Sequence, residues 1–510
     1  MNIKERMADI QNVAAKMNKE TYKGTDNKAT TFRKDYQKES AKLVTLEEAI
    51  KQSGVKDGMT ISFHHHFRGG DKVVNLVVDK LAQMGFKNLR LAASSLQDVH
   101  EPLIEHIKNG VITSISTSGL RGKLADAISR GLMTEPVVFR SHGGRGSAVK
   151  NGEEHINVAF IGASSSDSLG NACGFSRGEN AKSICGSLGY AIPDAQNADK
   201  VIILTDDLVQ YPNTPASISE SYVDFVVKVE SVGDSSKIAS GAIRDTKNPR
   251  DILLAKLAAK VIINGGYFKN GFSIQTGSGG ASLAAVKYIR ESMIEQDIKA
   301  SFALGGITAH MVKMFEEGLI EKLIDVQSFD KVAAESIRDN EMHKEASANE
   351  YASKDEIGSA THYLDMVILS ALEVDINFNV NVLVGSDGII RGAIGGHQDT
   401  AEDAALSIIV CPLLRGRIPC VVEEVTTLIT PGSSVDVIVT EYGIAVNPRR
   451  PEIKERLVNA GLNIVDIHDL AQKAKSIIGD ADPLPFGDKV VGVVMNRDGS
   501  VLDVIKNITE

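Results

Sequence analysis

Three stretches of the chain recur in the same order in its second half. They are "TSGLRGKLADAISRGLM" (117–133) with "LGGITAHMVKMFEEGLI" (304–320), "AFIGASSSDSLGNA" (159–172) with "VILSALEVDINFNV" (367–380), and "SYVDFVVKVE" (221–230) with "SSVDVIVTEY" (433–442). Three ordered matches whose offsets grow slowly indicate a duplicated domain with a few insertions. The sequence therefore predicts two similar domains, residues 43–270 and 271–510, with a site at the interface between them.

From Leu43 onward, short apolar runs alternate with amphipathic patterns. The spacing of apolar residues over 73–85 predicts a helix. The runs that predict strands are 58–63, 201–205, 261–264, 407–410 and 435–441. This alternation favours βα units, so the predicted fold class is α/β, with two tandem, internally duplicated domains and mostly parallel sheets.

Length and charge argue against several classes of protein. A chain of 510 residues is too long for a single hydrophobic core. Its 56 basic and 66 acidic side chains give a net charge of −10, which disfavours a nucleic-acid binder. The first ten residues lack the apolar core of a signal peptide, and no run is apolar enough for a membrane span. We therefore expect no membrane association and a cytoplasmic location.

Residues 1–42 are predicted to form a polar N-terminal arm. Residues 14–42 contain no Ile, Leu or Val and are rich in Lys. Such a segment cannot build a core of its own, so we expect it to lie across another surface.

Neither the cysteines nor the histidines predict a metal site. The four cysteines form no Cys-x-x-Cys pair, and we interpret them as buried thiols. In "SFHHHFRGGD" (62–71) three consecutive histidines would point to alternating faces of an extended segment, which suits a metal poorly. The loop is better interpreted as an anion site, in which His65, Arg68 and the backbone of Gly69 and Gly70 face a ligand at a helix start.

The loop "QTGSGGASLA" (275–284) could approach a ligand with its backbone. It precedes a helix pattern but lacks the Gly-Lys-Ser/Thr of a Walker loop. Residues Gly277, Ser278, Gly279 and Gly280 could contact a phosphate or a pantetheine arm. A tight strand-to-helix turn without a ligand is an equal alternative.

The stretch "GIIRGAIGGHQDTAEDAALSIIV" (388–410) is the most distinctive one. Backbone N–H groups at Gly395 and Gly396 could stabilise an oxygen that becomes negative during acyl transfer. Asp399 is interpreted instead as the N-cap of the helix that follows.

Two arginine-bearing loops could receive carboxylates. Arg145 lies in "RSHGGRG" (140–146), and Arg415 and Arg417 lie two residues apart in "PLLRGRIPC" (412–420). Clustered guanidinium groups suit a polycarboxylate or a phosphate. Solvated surface arginines are the alternative.

Residues 371–410 and 430–451 resemble the second domain of the coenzyme A transferase superfamily. A Val-Asp strand, a Gly-Gly loop and a Val-Thr-Glu-x-Gly-Ile-Ala segment occur in the same order. The closer resemblance is to the citrate lyase alpha-chain family, and it extends from about Leu43 to the C-terminus. It is carried by "ISFHHHFRGGD", "TSGLRGKLADAISRGL", "CGSLGYAIPDA", "FSIQTGSGGASLA" and "FALGGITAHMV".

The resemblance implies a transferase that acts on the thiol arm of an acyl carrier protein. Citrate replaces an acetyl group there, acetate is released, and a separate lyase subunit cleaves the citryl thioester. The implied partners are the acyl carrier (gamma) subunit and the citryl lyase (beta) subunit, in a larger complex in which the chain forms a homo-oligomer. No tightly bound cofactor is implied, because the coenzyme A-like prosthetic group belongs to the carrier. Acetyl-coenzyme A is an expected surrogate.

Residues 301–323 depart from the wider superfamily. The pattern predicts an apolar strand, a Gly305-Gly306 turn and a helix. When the helix-ending Gly318 is aligned, Gly305 occupies the place where many coenzyme A transferases carry a nucleophilic glutamate. Without that carboxylate a glutamyl thioester cannot form by the usual route. The resemblance then implies direct attack by citrate, with the bare turn leaving room for it.

The residues and the resemblance together give three sets of candidates. The catalytic candidates are Gly305, Gly306, Gly395 and Gly396. The substrate-binding candidates are His65, Arg68, Gly69, Gly70, Arg145, Arg391, His397 and Arg417. The thioester-arm candidates are Gly277, Ser278, Gly279 and Gly280.

Two other functions stay open at this point. A coenzyme A transferase or thioester hydrolase acting on free acyl-coenzyme A would need an acidic nucleophile, for which Glu373 is the candidate. A non-catalytic scaffold subunit, or a sugar-binding regulator of similar fold, would need none. The acidic charge balance disfavours a DNA-binding regulator.

Overall fold

A computed structural model describes residues 3–19, 21, 42–178, 182–239, 246–277, 279–479 and 483–509. The chain divides into a short unit, residues 1–38, and a compact unit, residues 39–510. The short unit contains the helix Ile3–Lys16. Most of the predicted arm after this helix lies outside the described residues, so its docking on another surface stays a prediction.

Strands occur along the whole of the compact unit. Those of its first half are β1 Thr60–Phe63, β2 Leu89–Ala93, β3 Ile112–Thr117, β4 Val137–Phe139, β5 Val158–Ala163, β6 Ser165–Ser166, β7 Ala172–Cys173, β8 Lys200–Thr205 and β9 Phe225–Lys228. Those of its second half are β10 Phe272–Thr276, β11 Ala300–Ile307, β12 Leu323–Ser328, β13 His343–Glu345, β14 Met366–Ser370, β15 Glu373–Asp375, β16 Val380–Asn381, β17 Leu406–Val410, β18 Leu414–Arg415, β19 Ile418–Pro419, β20 Val421–Val422, β21 Val437–Thr440, β22 Gly443–Val446, β23 Phe486–Met495 and β24 Val501–Ile508.

Helices connect most of these strands. The α-helices of the compact unit are Leu46–Ser53, Val73–Gln83, Leu103–Lys108, Gly122–Ser129, His142–Lys150, Ile192–Asn197, Pro249–Asn264, Gly280–Gln296, Ala309–Glu316, Lys331–Asp339, Ala348–Ala352, His397–Asp403, Pro451–Asn459 and Ile467–Ile478. Short 3-10 turns occur at Arg68–Gly70, Asp98–His100, Ser235–Lys237, Ala360–Tyr363 and Gly432–Ser434. The predicted strand 261–264 is wrong, because its apolar residues form the last turn of the helix Pro249–Asn264 and continue that helix's buried face.

Two large sheets share one topology, which confirms the predicted α/β fold with mostly parallel strands. The first contains the order β4-β3-β2-β1-β5-β8-β9, and the second contains β13-β12-β11-β10-β14-β17-β21. Counted along the chain, these two orders are identical. All of these pairings are parallel.

The second sequence match, 159–172 with 367–380, is confirmed by equivalent side-chain hydrogen bonds in the two halves. The Asp167 carboxylate accepts the Asn171 amide at 2.8 Å, and the Asp375 carboxylate accepts the Asn379 amide at 3.0 Å. Both turns follow equivalent strands, β5 and β14. The third match is also in phase, since it aligns β9 with β21.

The first predicted match is one βα unit out of phase. It aligns the end of β3 with the end of β11, whereas the sheet orders make β3 equivalent to β12. The pattern of a strand, a glycine and an amphipathic helix recurs in successive βα units, so it does not identify which unit is matched.

A C-terminal hairpin returns to the first sheet. β23 pairs in parallel with β4 and antiparallel with β24, so both strands lie at the edge of the first sheet. Strand pairing therefore does not follow the predicted limits of the second domain, residues 271–510, because the free edge of β4 recruits this hairpin. The domain division itself stays a prediction.

A loop of the first half docks on the edge of the second sheet. The Leu188 N–H donates to Glu345 Oε1 at 2.5 Å, and Ser187 Oγ donates to the Asp325 carbonyl at 2.9 Å. A Cβ at Gly189 would lie only 2.2 Å from the Ala346 carbonyl oxygen, so glycine is needed for this close approach. Burial raises the pKa of Glu345 to about 7.

Replacing Glu345 with Gln should flatten the dependence of stability on pH. Because the pKa of Glu345 is higher in the folded chain than in the unfolded one, its contribution is greatest at low pH and is lost as pH rises from about 4.5 to about 7. This loss amounts to at most about 3 kcal/mol. Urea unfolding at pH 5, 6 and 7 should show a smaller change for Glu345→Gln than for the wild type. The exposed control Glu321→Gln should keep the wild-type slope; an unchanged slope in Glu345→Gln would contradict the assignment.

Candidate active site

A cavity of about 420 Å³ lies between the two sheets. Its walls come from segments at or after the carboxyl ends of β1 to β4, β10 to β12 and β14, where open α/β sheets usually bind ligands. Among the residues that line it are His65, Arg68, Ser95, Gln97, Ser118, Arg121, His142, Tyr190, Gln275, Gln327, Phe329, Tyr351, Arg391, His397 and Arg415. Backbone of Gly277, Gly279, Gly306, Gly395 and Gly396 completes the wall.

The cavity is cationic. Four arginines line it, and its described lining contains no Asp or Glu. Arg68 and Arg121 form no ion pair with any described residue. Burial, and then the Arg121 guanidinium, lowers the pKa of Arg68 to about 10, so Arg68 is charged at neutral pH. Burial also lowers the pKa of Arg121. Arg121 makes one long hydrogen bond, 3.4 Å, to the Arg391 carbonyl. Two guanidinium groups without an ion-pair partner in one cavity are suited to binding an anion.

The other two cavity arginines already have partners. Arg391 forms an ion pair with Asp387 at the exposed edge. Arg415 donates to the backbone carbonyl of Leu372 at 3.1 Å and also to that of Ala371. These two side chains add positive charge to the cavity but are less free than Arg68 and Arg121 to bind a ligand.

Gly305 and Gly306 lie inside β11 rather than in a turn, which corrects the predicted boundary. The register shifts between them, and Gly305 has a φ of +97°. A Cβ at Gly305 would lie 2.7 Å from the Gln275 side chain, and one at Gly306 would lie 2.2 Å from the Phe329 ring. The space beside the bare strand is therefore occupied by these two side chains rather than left open for a substrate.

The Phe329 ring contacts the guanidinium group of Arg68. The Arg68 guanidinium lies 4.8 Å from the centre of the Phe329 ring, within range of a cation–π interaction. Because Gly306 has no side chain, the ring can lie against the strand. The missing side chain thus helps to fix Arg68 at the cavity wall.

The turn at Gly395 and Gly396 lines the cavity and has two backbone donors that are unpaired within the described chain. Neither backbone N–H donates to an acceptor among the described residues. The Gly395 carbonyl accepts the N–H of His142 at 2.9 Å, which holds the turn against the helix His142–Lys150. Free N–H groups on a fixed turn are suited to stabilising an oxyanion.

Asp399 does not cap its own helix, so that interpretation is wrong. Its carboxylate accepts Ser141 Oγ at 2.7 Å and the Gly143 N–H at 3.0 Å, at the start of the helix His142–Lys150. Burial raises the pKa of Asp399 to about 6. Asp399 thus joins the two halves directly behind the cavity.

The histidines of the cavity are neutral. Burial, and then His142, lowers the pKa of His65 well below its ordinary value, and burial lowers that of His142 to about 3. The His65 ring stacks on Tyr190 with ring centres 5.2 Å apart, and the His142 ring is tilted against Tyr190 with ring centres 4.1 Å apart. His397 uses both ring nitrogens, accepting from Thr430 Oγ1 at 2.7 Å and donating to the Ser370 carbonyl at 3.2 Å. His397 therefore has less capacity for substrate than the sequence suggested.

Several predicted site residues lie elsewhere. Arg145 is buried and forms a bidentate pair with Asp194, both bonds being 2.8 Å. Arg417 is exposed at the β18–β19 turn, and Gly69 and Gly70 line a separate cleft of about 470 Å³. Gly305 and Gly280 are not part of the cavity wall, and Ser278 lies outside the described residues.

Sequence reasoning missed Arg121, Tyr190, Gln275, Gln327 and Tyr351. Gln275 and Gln327 lie on β10 and β12, and Tyr351 lies in a helix of five residues. The available signals were indirect: Gln275 opens the glycine-rich stretch 275–284, and Arg121 follows "TSGL" in a repeated stretch.

Glu373, the candidate nucleophile of the alternative mechanism, is held by hydrogen bonds away from the cavity. Its carboxylate is buried and accepts the Asn381 amide at 2.9 Å and the Thr426 N–H at 2.9 Å. It does not belong to the cavity wall.

Within the described chain, no three or more His, Cys, Asp or Glu side chains are grouped to hold a metal ion. The four cysteines are free and buried, as predicted.

Two open α/β sheets of equal topology, with a cationic cavity at their carboxyl ends, agree with the coenzyme A transferase-like fold predicted from the sequence. A malonate decarboxylase alpha subunit from Acinetobacter baumannii shares this fold, with a TM-score of 0.63 at 16% identity, over 86% of this chain and 93% of that one. Residues 40–508 match the family described as "Citrate lyase, alpha subunit (CitF)", and the chain belongs to that family.

Close relatives agree with this assignment. The citrate lyase alpha chain of Escherichia coli is 57% identical over 93% of both chains. That of Klebsiella pneumoniae is 55% identical over 96% of this chain and 95% of the relative. A crystal structure described as the alpha subunit of citrate lyase from Streptococcus mutans in complex with citrate is 54% identical. It has a TM-score of 0.91 and covers 94% of this chain and 93% of that one.

Arg145 should prove structural rather than substrate-binding. Burial alone would lower the pKa of Arg145, but the Asp194 carboxylate raises it above its ordinary value. Arg145→Gln should leave Asp194 as an unpaired buried charge and reduce the free energy of unfolding by about 3–5 kcal/mol, measured by chemical denaturation. The exposed control Arg90→Gln should change it by less than about 0.5 kcal/mol. A stable Arg145→Gln variant with weakened anion binding would restore the sequence-based assignment.

Proposed function

We propose that this protein exchanges citrate for acetate on the thioester of an acetyl-acyl-carrier protein, by direct carboxylate attack. Membership of the citrate lyase alpha-subunit family supports the substrates. The observation that carries the mechanism is the cavity, which has two guanidinium groups that form no ion pair with a described residue, and no Asp or Glu in its described lining. Such a site can hold a polycarboxylate but offers no carboxylate nucleophile of its own.

The exchange requires no group of the protein to become acylated. A citrate carboxylate oxygen attacks the acetyl carbonyl carbon, and the carbonyl electron pair moves to oxygen. The resulting oxyanion collapses and the C–S bond breaks. The thiolate is released, and the citryl and acetyl groups are now joined as a mixed anhydride. The thiolate then attacks the citryl carbonyl carbon. The bond between that carbon and the bridging oxygen breaks, and acetate departs with the bridging oxygen. No proton is gained or lost over the sequence.

The chain supplies position and charge. Arg68 and Arg121 are proposed to bind carboxylates of citrate, and the N–H groups of Gly395 and Gly396 to stabilise the oxyanion. Holding both reactants in one cavity can contribute an effective molarity of about 10⁵ M or more. Losing a single oxyanion donor typically costs about 3 kcal/mol of the barrier.

The assembly is also part of the proposal. The thiol arm would enter with the carrier subunit, past Gly277 and Gly279, and acetyl-coenzyme A would serve as a surrogate. The product would pass to a citryl lyase subunit within a cytoplasmic complex in which this chain is a homo-oligomer. None of the helices in the described ranges is long and apolar enough to span a bilayer.

A single turnover with ¹⁸O-labelled citrate carboxylates would test direct attack. With the protein in excess over acetyl-carrier protein, the released acetate should contain one ¹⁸O atom, because the attacking citrate oxygen leaves with the acetyl group. A glutamyl intermediate would instead release unlabelled acetate in that turnover and leave label in the protein. Labelling of Glu373, detected by mass spectrometry, would favour the alternative transferase. Absence of any acetate would favour a scaffold.

Arg121 should affect citrate far more than the carrier. Arg121→Gln removes one charge-assisted donor, worth roughly 1.5–3 kcal/mol, so KM for citrate should rise by about tenfold or more while KM for acetyl-carrier protein changes little. Steady-state kinetics with each substrate varied in turn would measure this. The control Arg90→Gln lies on β2 with an exposed side chain and should behave as wild type. An unchanged KM for citrate in Arg121→Gln would remove Arg121 from the site.

A further inference from the structure

The short helix Ala348–Ala352 brings a tyrosine hydroxyl to the glycine turn. The Tyr351 side chain lines the cavity although only 2% of its surface is exposed. A Cβ at Gly396 would lie 2.3 Å from Tyr351 Oη, so the hydroxyl occupies the space next to that glycine. The hydroxyl therefore lies beside the glycine turn whose backbone N–H groups have no described acceptor.

Gln275 fixes the orientation of this hydroxyl. Its side-chain Nε2 donates to Tyr351 Oη at 2.9 Å. An amide nitrogen can only donate, so the tyrosine oxygen accepts this bond and its own proton points elsewhere. Among the described residues, no acceptor takes the Tyr351 proton. The hydroxyl is therefore an oriented donor that no described residue satisfies.

The bare strand makes this arrangement possible. Any Cβ at Gly305 would lie 2.7 Å from Gln275 Oε1 and 2.8 Å from Nε2. A side chain at position 305 would therefore displace the amide that orients Tyr351. The φ of +97° at Gly305 also disfavours other residues there.

The hydroxyl keeps its proton under working conditions. Burial, and then the Asp399 carboxylate, raises the pKa of Tyr351 above its ordinary value. Tyr351 can therefore donate a hydrogen bond but is not placed to act as a base.

We propose that Tyr351 is a catalytic residue that donates a hydrogen bond to the tetrahedral oxyanion, together with the N–H groups of Gly395 and Gly396. Gln275 acts as its positioning residue, and Gly305 leaves the space that Gln275 needs. The inference rests on the proposed function, because the oxyanion is the one formed when a citrate carboxylate attacks the acetyl thioester. As the C–O bond forms, the carbonyl electron pair moves to the oxygen that Tyr351 contacts. As the C–S bond breaks, the electron pair on the oxyanion re-forms the carbonyl bond, and the hydrogen bond from Tyr351 weakens.

Removing the hydroxyl should slow the reaction without weakening substrate binding. Tyr351→Phe should lower kcat by about 10²–10³-fold and leave KM for citrate within about twofold. Acetate release from acetyl-carrier protein is the assay, and calorimetric titration with citrate checks that the site is intact. The control Tyr363→Phe removes an exposed hydroxyl and should keep wild-type kcat.

The role of Gln275 can be tested by non-additivity. Gln275→Leu should lower kcat by losing the orientation of Tyr351. The double variant, which combines Gln275→Leu with Tyr351→Phe, should be no slower than Tyr351→Phe alone, because both changes disable the same donor. A double variant slowed by the product of the single effects would overturn the positioning role.

Fluorinated tyrosines separate a catalytic donor from a structural hydroxyl. Replacing Tyr351 with 3-fluorotyrosine or 3,5-difluorotyrosine keeps the ring and the hydroxyl but makes the phenol a stronger acid. While the phenol stays protonated, kcat should rise with this acidity, whereas a structural role predicts no trend. This series also keeps the inference testable if Tyr351→Phe fails to fold.

The outcomes distinguish this inference from the function on which it rests. If the wild-type chain releases no acetate, the proposed function fails. If the wild type is active, but Tyr351→Phe retains its kcat or the fluorotyrosine series shows no trend, the role of Tyr351 fails alone.

Discussion

One buried carboxylate, that of Asp399, connects the parts on which the cavity depends. It accepts hydrogen bonds from Ser141 and Gly143 at the start of the helix His142–Lys150. It also lies 3.6 Å from Nε of Arg497, in the turn between β23 and β24. A buried carboxylate needs such partners, and satisfying them brings the helix of one half, the helix of the other and the C-terminal hairpin to one point. The glycine turn at 395–396 is fixed by this junction.

The sequence was informative where a property repeats or has a distinctive local pattern. The paired Asp-Asn turns identified equivalent strands, and the Gly395-Gly396 turn was recognised because adjacent glycines before a helix expose N–H groups. Arg68 was recognised because it follows a strand and precedes two glycines. These features are local, so they can be seen without knowledge of the fold.

The remaining site residues depend on contacts between distant segments. Tyr351 comes from a helix of five residues and meets Gln275, from β10, which is 76 positions away in the chain. Arg145 and Arg417 looked equivalent in the sequence, yet one is buried beside Asp194 and the other is exposed. The Gly305-Gly306 pair predicted room for a substrate, whereas neighbouring side chains fill that space. Glycines mark close packing as often as open volume, and only the neighbours decide between the two.

The return of β23 and β24 to the first sheet has a consequence for biosynthesis. β4 emerges from the ribosome several hundred residues before its neighbour β23, so its outer edge is unpaired during most of translation. An unpaired edge strand can recruit other chains. Since Arg497 arrives with the same hairpin, the junction behind the cavity cannot form before that hairpin has been synthesised.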